Sequence, residues 1–365
     1  MGRCLICGKS SPFISDSLGA CLDCIRRGEA LDLVKIRRAV WRKDMGLPPS
    51  LPDRGIRCNL CSNQCRIADR GFCGVIERRG NKLEPVTGSW RVAIGYYYLD
   101  PLPTNCVANK VCPASTCRGF PEYTKVCGPE VGYYNLAVFY GACNLDCFFC
   151  QNMEHKRMAV RGGPLMTVEE LVKEALRPEV TCICYFGGDP APWSPHSLAV
   201  AREVLSKKRV RVCWETNGLE NTRIFRKMME VAVKSGGLVK VDLKAWNPLV
   251  YEALTGVRGP ERALKNLKEG AKWFKVRSDP PPLVVSTLLV PGYVDCDEVK
   301  AIAEYLSSLD ERIPYVLLAF YPHFMANDLP STPKKMALDC LREIKPLLNE
   351  VYLENAWLLS DLPYP

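Results

Sequence analysis

Tyr140-Gly141-Ala142-Cys143-Asn144-Leu145-Asp146-Cys147-Phe148-Phe149-Cys150-Gln151-Asn152 carries three cysteines spaced C-x3-C-x2-C. The apolar run Leu136-Ala137-Val138-Phe139-Tyr140 leads into it and predicts a buried strand. The thiols therefore fall on a loop at the C-terminal end of a strand, where parallel α/β folds place their chemistry. Three cysteines are one short of a closed tetrahedral zinc site. A cube-shaped [4Fe–4S] cluster has four irons and ordinarily four thiolates, so three leave one iron open to a non-protein ligand. A zinc loop that borrows its fourth ligand from elsewhere satisfies the spacing equally.

Downstream the chain alternates strand and helix. Candidate strands are Leu136–Tyr140, Thr181–Phe186, Val210–Glu215, Leu238–Asp242, Leu283–Leu289 and Tyr315–Phe320. Helical stretches follow at Val168–Leu176, Pro195–Ser206, Thr222–Ser235, Glu261–Phe274, Asp297–Leu309 and Pro333–Leu348. This predicts an α/β fold, a partial (β/α)6 TIM-type barrel over residues 132–365, with its reactive face at the C-terminal strand ends. The second strand ends in Gly187-Gly188-Asp189-Pro190, where two glycines let backbone approach a ligand closely. The third ends in Glu215-Thr216-Asn217, which offers hydrogen-bonding groups for a ribose or an amino-acid head. The fourth ends in Asp242-Leu243-Lys244, either two groups at the barrel mouth or an internal salt bridge. His323, on the loop after the sixth strand, reads as a satisfied surface histidine, with substrate contact or proton transfer as the alternative. Cys182, Cys184 and Cys213 read as small core residues.

Cys143, Cys147 and Cys150, with aromatic Phe149 before the third thiol, resemble the signature of the radical S-adenosylmethionine (SAM) superfamily. The local text Gly-Ala-Cys-Asn-Leu-x-Cys-x-Phe-Cys-Gln-Asn is similar to that of pyruvate formate-lyase-activating-enzyme-like proteins and AmmeMemoRadiSam-system radical SAM proteins. The resemblance implies a [4Fe–4S] cluster on the three cysteines and SAM chelating the open iron. It also implies reductive cleavage of SAM to a 5′-deoxyadenosyl radical, with electrons from a ferredoxin or flavodoxin-like donor. On the same basis Gly187 and Gly188 hold the SAM amino group, Thr216-Asn217 lies beside SAM, Asp242 and Lys244 line the SAM and substrate cavity, and Val290 packs on adenine. Asp189 stands where close relatives often carry Glu.

Upstream, cysteine dominates. The chain has 20, and twelve precede residue 132. No secretory h-region opens the sequence, so disulfides are a poor explanation and metal binding a better one. Cys4-x2-Cys7-x13-Cys21-x2-Cys24 has zinc-ribbon spacing and predicts structural zinc, with an iron–sulfur centre as the alternative. An amphipathic helix to about Lys43 and a linker complete a unit over residues 1–54. Residues 55–131 form a second cysteine-rich region. Cys58-x2-Cys61-x3-Cys65-x7-Cys73 is a second quartet, similar to the N-terminal cysteine motif of AmmeMemoRadiSam-type proteins. Zinc and an auxiliary [4Fe–4S] cluster are both open there, since both are thiolate sites. A hairpin turning at Arg79-Gly80-Asn81 follows. Cys106, Cys112, Cys117 and Cys127 make a looser third quartet among prolines. An auxiliary cluster, a cysteine lining the substrate pocket, or a mix of structural thiols would each fit it.

Hydrophobic content of 47% and charged content of 24% are those of a soluble globular protein. No apolar run is long enough to span a membrane, and a cytoplasmic location is expected. Only two glutamines occur beside 28 prolines, a composition of heat-adapted chains. A net charge of +9 permits nucleic acid as a partner without demanding it. The basic stretch Lys35-Ile36-Arg37-Arg38 through Arg42-Lys43 reads as a solvated helix face. The leading expectation is a radical SAM enzyme that abstracts hydrogen from a protein or small-molecule substrate. The alternatives are a glycyl-radical-enzyme activating enzyme, a tRNA-modifying enzyme that uses the zinc ribbon to bind RNA, and a non-catalytic iron–sulfur or metal carrier.

Overall fold

The computed structural model describes residues 1–364. Its centre is a nine-stranded sheet of β1 (Val92–Pro101), β2 (Tyr134–Tyr140), β3 (Leu165–Thr167), β4 (Val180–Gly187), β5 (Arg211–Thr216), β6 (Val239–Asp242), β7 (Leu283–Leu289), β8 (Tyr315–Ala319) and β9 (Val351–Glu354). The order is β9-β8-β7-β6-β5-β4-β2-β1-β3. The strands from β2 to β9 in that order run parallel. β1 is antiparallel to β2, and β3 to β1. The fold is α/β with a mixed central sheet. All six expected strands form, and β9 extends the parallel set by one.

The parallel strands follow from their composition. β7 is buried along its whole length and β4 over its first six residues, as expected of strands covered by helices on one face and core on the other. The cover comes from α3 (Glu154–Arg161), α4 (Val168–Ala175), α5 (Ser194–Leu205), α6 (Thr222–Ser235), α7 (Pro248–Thr255), α8 (Glu261–Ala271), α9 (Cys296–Leu309) and α10 (Lys334–Ile344). Their starts are written locally: Thr167 and Glu170 form a capping box on α4, and Asn221, Asn247 and Asp295 cap α6, α7 and α9. Among the described residues, β9 and β3 are the two edges and no hydrogen-bonded pairing joins them.

Register sets the height of the strand ends. Gly187 lies opposite Tyr140, and Tyr185 lies opposite Trp214, so the ends of β2, β4 and β5 are level. Residues near the C-terminal ends of β2, β4, β5, β6, β7, β8 and β9 all line one cavity of about 390 Å³. Seven flat strands at ~4.8 Å spacing would span roughly 30 Å. Sharing one such cavity requires the sheet to curl around it.

The N-terminal region packs onto this face. Three two-stranded ribbons, Gly2–Arg3 with Ser10–Ser11, Ile56–Arg57 with Arg66–Ile67, and Ile76–Arg79 with Lys82–Pro85, frame the cysteine quartets. The single helix expected up to Lys43 is two, labelled α1′ (Leu22–Arg26) and α2′ (Leu31–Asp44). Gly28, at a φ of +81°, turns the chain between them. The Tyr293 hydroxyl donates to the Ala20 carbonyl at 3.0 Å and accepts from the Ser15 amide at 2.9 Å. Arg26 pairs with Asp295 at 2.9 Å and Glu298 at 3.0 Å.

Three expectations are corrected. The basic face of α2′ is not wholly solvated, because Arg38 and Arg42 are buried. Disulfides are present: Cys296 with Cys340, joining α9 to α10, and Cys117 with Cys127. The third quartet is therefore not a four-thiol site. Two of its sulfurs are bonded to each other, while Cys106 and Cys112 are directed to the sheet interior beside Cys184, Cys213 and Leu238. Of the two other readings, a cysteine lining the pocket describes Cys106, while Cys117 and Cys127 are a disulfide and not free thiols.

Candidate active site and metal centres

The three-cysteine loop leaves β2 at Tyr140 and reaches α3 at Glu154. Two close backbone contacts fix its start. The Gly188 amide donates to the Tyr140 carbonyl and the Asp189 amide to the Ala142 carbonyl, both at 2.9 Å. A Cβ on Gly188 would stand 1.8 Å from the Ala142 oxygen, so only glycine fits there. Asp146 fixes the middle. It is fully buried and accepts from Trp41 Nε1 at 2.8 Å, with Arg42 Nη1 at 3.1 Å, Arg38 Nε at 3.4 Å and the Lys156 ammonium around it. Burial alone would raise this carboxyl; Lys156, Arg42 and Arg38 outweigh it and hold it well below the usual range.

Cys143, Cys147 and Cys150 all line the cavity. The Leu145 amide donates to Cys143 Sγ at 3.3 Å, and Asn217 Nδ2 lies 3.7 Å from it. Burial pushes the Cys143 thiol up and the Cys147 thiol to about 12. A cluster of positively charged irons would supply the charge that keeps both as thiolates. His155 Nε2 is 3.6 Å from Cys150 Sγ, and burial holds the imidazole neutral.

Phe149, Gly187, Gly188, Asp189, Glu215, Thr216, Asn217, Asp242 and Lys244 line the same cavity. Asp189 acts as a staple, accepting from the Asn217 and Ala191 amides at 2.8 Å and from Thr216 Oγ1 at 3.1 Å. Burial raises it to about 6. Its neighbour Glu220, bound to the same Thr216 hydroxyl, is raised by burial to about 8. Lys244 pairs with Asp242, whose Oδ1 is buried and unpartnered. Both alternatives for that pair thus hold together: they form a salt bridge and they line the cavity.

Val290 does not line the cavity. The strand ends at Leu289, the Val290 amide turns back onto the Leu288 carbonyl at 3.0 Å, and the side chain enters the core; Leu288 faces the cavity instead. His323 is not among the cavity residues, and its ring packs against Tyr321. The rest of the wall was not foreseen. Asp100, Thr104, Asn105 and Cys106 come from the segment after β1, and Glu354 and Asn355 from the end of β9. Cys106 Sγ is 3.2 Å from the buried ammonium of Lys240, which also pairs with Glu215 at 3.1 Å.

Cys4, Cys7, Cys21 and Cys24 form a four-cysteine metal-binding site whose sulfurs all lie within 4.8 Å of one another. Cys4 and Cys24 are 3.8 Å apart, Cys7 and Cys21 3.7 Å. Tetrahedral Zn–S bonds of ~2.3 Å place sulfurs about 3.8 Å apart, so the site has the size of a single ion.

Residues 137–306 match the Radical SAM superfamily model. The chain thus carries a radical SAM superfamily domain, which implies a [4Fe–4S] cluster and SAM. Over 92 residues, 25% of the chain, it is 36% identical to a 7-carboxy-7-deazaguanine synthase of Hyperthermus butylicus, covering 38% of that protein. It is 26% identical over 138 residues to a probable GTP 3′,8-cyclase of Thermococcus kodakarensis, 36% of this chain and 41% of the relative. An uncharacterized protein of Methanocaldococcus jannaschii is 21% identical over 274 residues, 70% of this chain and 75% of the relative. The chain thus spans about two fifths of the length of the two relatives named for an activity.

Proposed function

We propose that this is a radical SAM enzyme whose cluster is held by Cys143, Cys147 and Cys150, with SAM in the cavity at the strand ends. The observation that carries the reading is the shared cavity: the three cysteines line it together with Gly187, Gly188, Thr216, Asn217, Asp242 and Lys244. When bound, cluster and SAM supply a 5′-deoxyadenosyl radical that abstracts hydrogen from the substrate.

The chain's own residues bind, orient and shield. Asn217 and the Leu145 amide hold Cys143. The unpartnered Asp242 Oδ1 and the Lys244 ammonium present one acceptor and one cation to an amino-acid head group. Glu215 offers an acceptor to ribose hydroxyls. Phe149 and Leu288 form apolar wall that keeps water away from a reactive intermediate. Asp100, Thr104, Asn105 and Glu354 form the part of the wall left for substrate. The cavity is within the range of small-molecule sites, and two relatives carry names of enzymes acting on small molecules. Both points favour a polar metabolite over a protein. The Gly-Ala-Cys-Asn-Leu motif supports the activating-enzyme-like and AmmeMemoRadiSam branch. A ferredoxin or flavodoxin-like donor would supply the electron, and zinc would fill the Cys4–Cys24 site.

Anaerobically purified protein with dithionite and SAM should form 5′-deoxyadenosine, and Cys147→Ala should form none above background. No product from the wild type, in protein shown to carry iron, would overturn the reading.

A further inference from the structure

The three cysteine sets differ in size. Among the described residues, Cys4, Cys7, Cys21 and Cys24 are the one group of three or more cysteine, histidine or carboxylate ligands drawn together within 4.8 Å. The Cys143 loop is not so drawn together, and neither is the quartet Cys58, Cys61, Cys65 and Cys73. Yet that quartet is a built site. All four residues line one small pocket with Leu60, Ile67 and Phe72. Four cysteines thus line one pocket, with no three of their sulfurs drawn within the 4.8 Å that encloses the Cys4 set. A cubane has this demand, since each thiolate binds its own iron at a separate corner.

The position is equally specific. Cys73 and Cys143 line one small void, together with Arg42, Phe72, Leu145 and His155. Asn63 Nδ2 donates to the Asn144 carbonyl, in the three-cysteine loop, at 2.6 Å. Arg42 donates to the Phe72 carbonyl at 2.7 Å and pairs with Asp146, so one buried guanidinium stands between the two thiolate sets. A cation there offsets the negative charge of two neighbouring thiolate-ligated clusters.

We propose that Cys58, Cys61, Cys65 and Cys73 hold an auxiliary [4Fe–4S] cluster that relays single electrons to the cluster on Cys143, Cys147 and Cys150. One electron enters from an external one-electron donor of the ferredoxin or flavodoxin class, which is oxidised by one unit. It then passes across the Cys73–Cys143 wall, reducing the second cluster by one unit, with no bond broken. The metal assignment stands on the quartet's own geometry; the relay rests on the radical SAM reading.

The test is metal analysis and EPR on protein expressed and purified anaerobically. Wild type should carry about eight irons and one zinc. Cys143→Ala/Cys147→Ala/Cys150→Ala should keep about four irons and a reducible [4Fe–4S] signal. Cys61→Ala/Cys65→Ala should also keep about four irons, now without that signal component. Retention of one zinc in each variant reports that the chain has folded. The relay predicts that Cys61→Ala/Cys65→Ala loses flavodoxin-driven reduction of the remaining cluster more than dithionite-driven reduction, read from the EPR amplitude. Iron-free triple variant, with either one or two zincs, would overturn the metal assignment whether or not the wild type cleaves SAM. Equal loss with both reductants would overturn the relay.

Discussion

Asp146 shows how much one residue organises. In the sequence it is an ordinary loop aspartate between two cysteines, and its partners Arg38 and Arg42 lie about a hundred positions upstream on a helix that reads as basic and solvated. Only the fold brings α2′ and α3 onto the loop, so no local pattern could reveal the four-way charge cluster. Removing the carboxylate leaves two guanidiniums and an ammonium buried and unpaired. Asp146→Ala should therefore cost about 3–5 kcal/mol in denaturant unfolding and should release iron from the Cys143 loop; unchanged stability would contradict this placement. Glu130, in contrast, lies beneath the sheet and binds Arg211 and Thr181. Burial would raise it, but the Arg211 fork prevails and holds it at about 2. A depressed carboxyl stabilises the fold above its unfolded value of about 4.5 and loses that contribution as the pH falls toward 2. The acid limb of stability between these values should be shallower in Glu130→Gln, measured by chemical unfolding across that range.

At the scale of elements, the strand–helix alternation was legible because buried parallel strands write continuous apolar runs such as Leu283–Leu289. α3 was not legible. Its buried face is His155, Lys156, Met158 and Ala159, so charge hides the periodicity that marks a helix. α7 spans only eight residues between the Asn247 cap and left-handed Gly256, too short for a periodic signal. β9 is four half-buried residues. The loop geometry was partly legible: Gly187-Gly188 marked a close approach, though the approach is also to the Ala142 carbonyl and not to a ligand alone. Gly188→Ala must displace that carbonyl and with it the start of the cysteine loop. SAM-dependent 5′-deoxyadenosine formation should fall to background in this variant while the zinc content stays at one. Wild-type turnover would show that the loop tolerates the shift.

Across the whole molecule, cysteine spacing told the regular sites from the irregular one. Cys4 through Cys24 closes as its knuckle spacing implies, while Cys106, Cys112, Cys117 and Cys127, with no regular spacing, divide between a disulfide and the sheet interior. Cys296 and Cys340 were unreadable as a pair, because their proximity depends on α9 and α10 packing side by side. Among the described residues no helix is long and apolar enough to cross a membrane. The Cys296–Cys340 bond closes a loop of 44 residues, worth about 4 kcal/mol in the chain-entropy account. Cys296→Ser/Cys340→Ser should lower thermal stability accordingly and leave the iron content unchanged; an unaltered melting temperature would mean the thiols are free in solution. The domain that curls around the cavity, and the N-terminal region that packs on its mouth, together depend on one assignment: an iron left open by three thiolates. Its most direct measurement is the EPR spectrum of the anaerobic, dithionite-reduced protein with and without SAM. The open iron predicts that one component of the cluster signal changes its g-values on adding SAM and that this component is missing from Cys143→Ala. A spectrum indifferent to SAM, or the same change in Cys143→Ala, would contradict it.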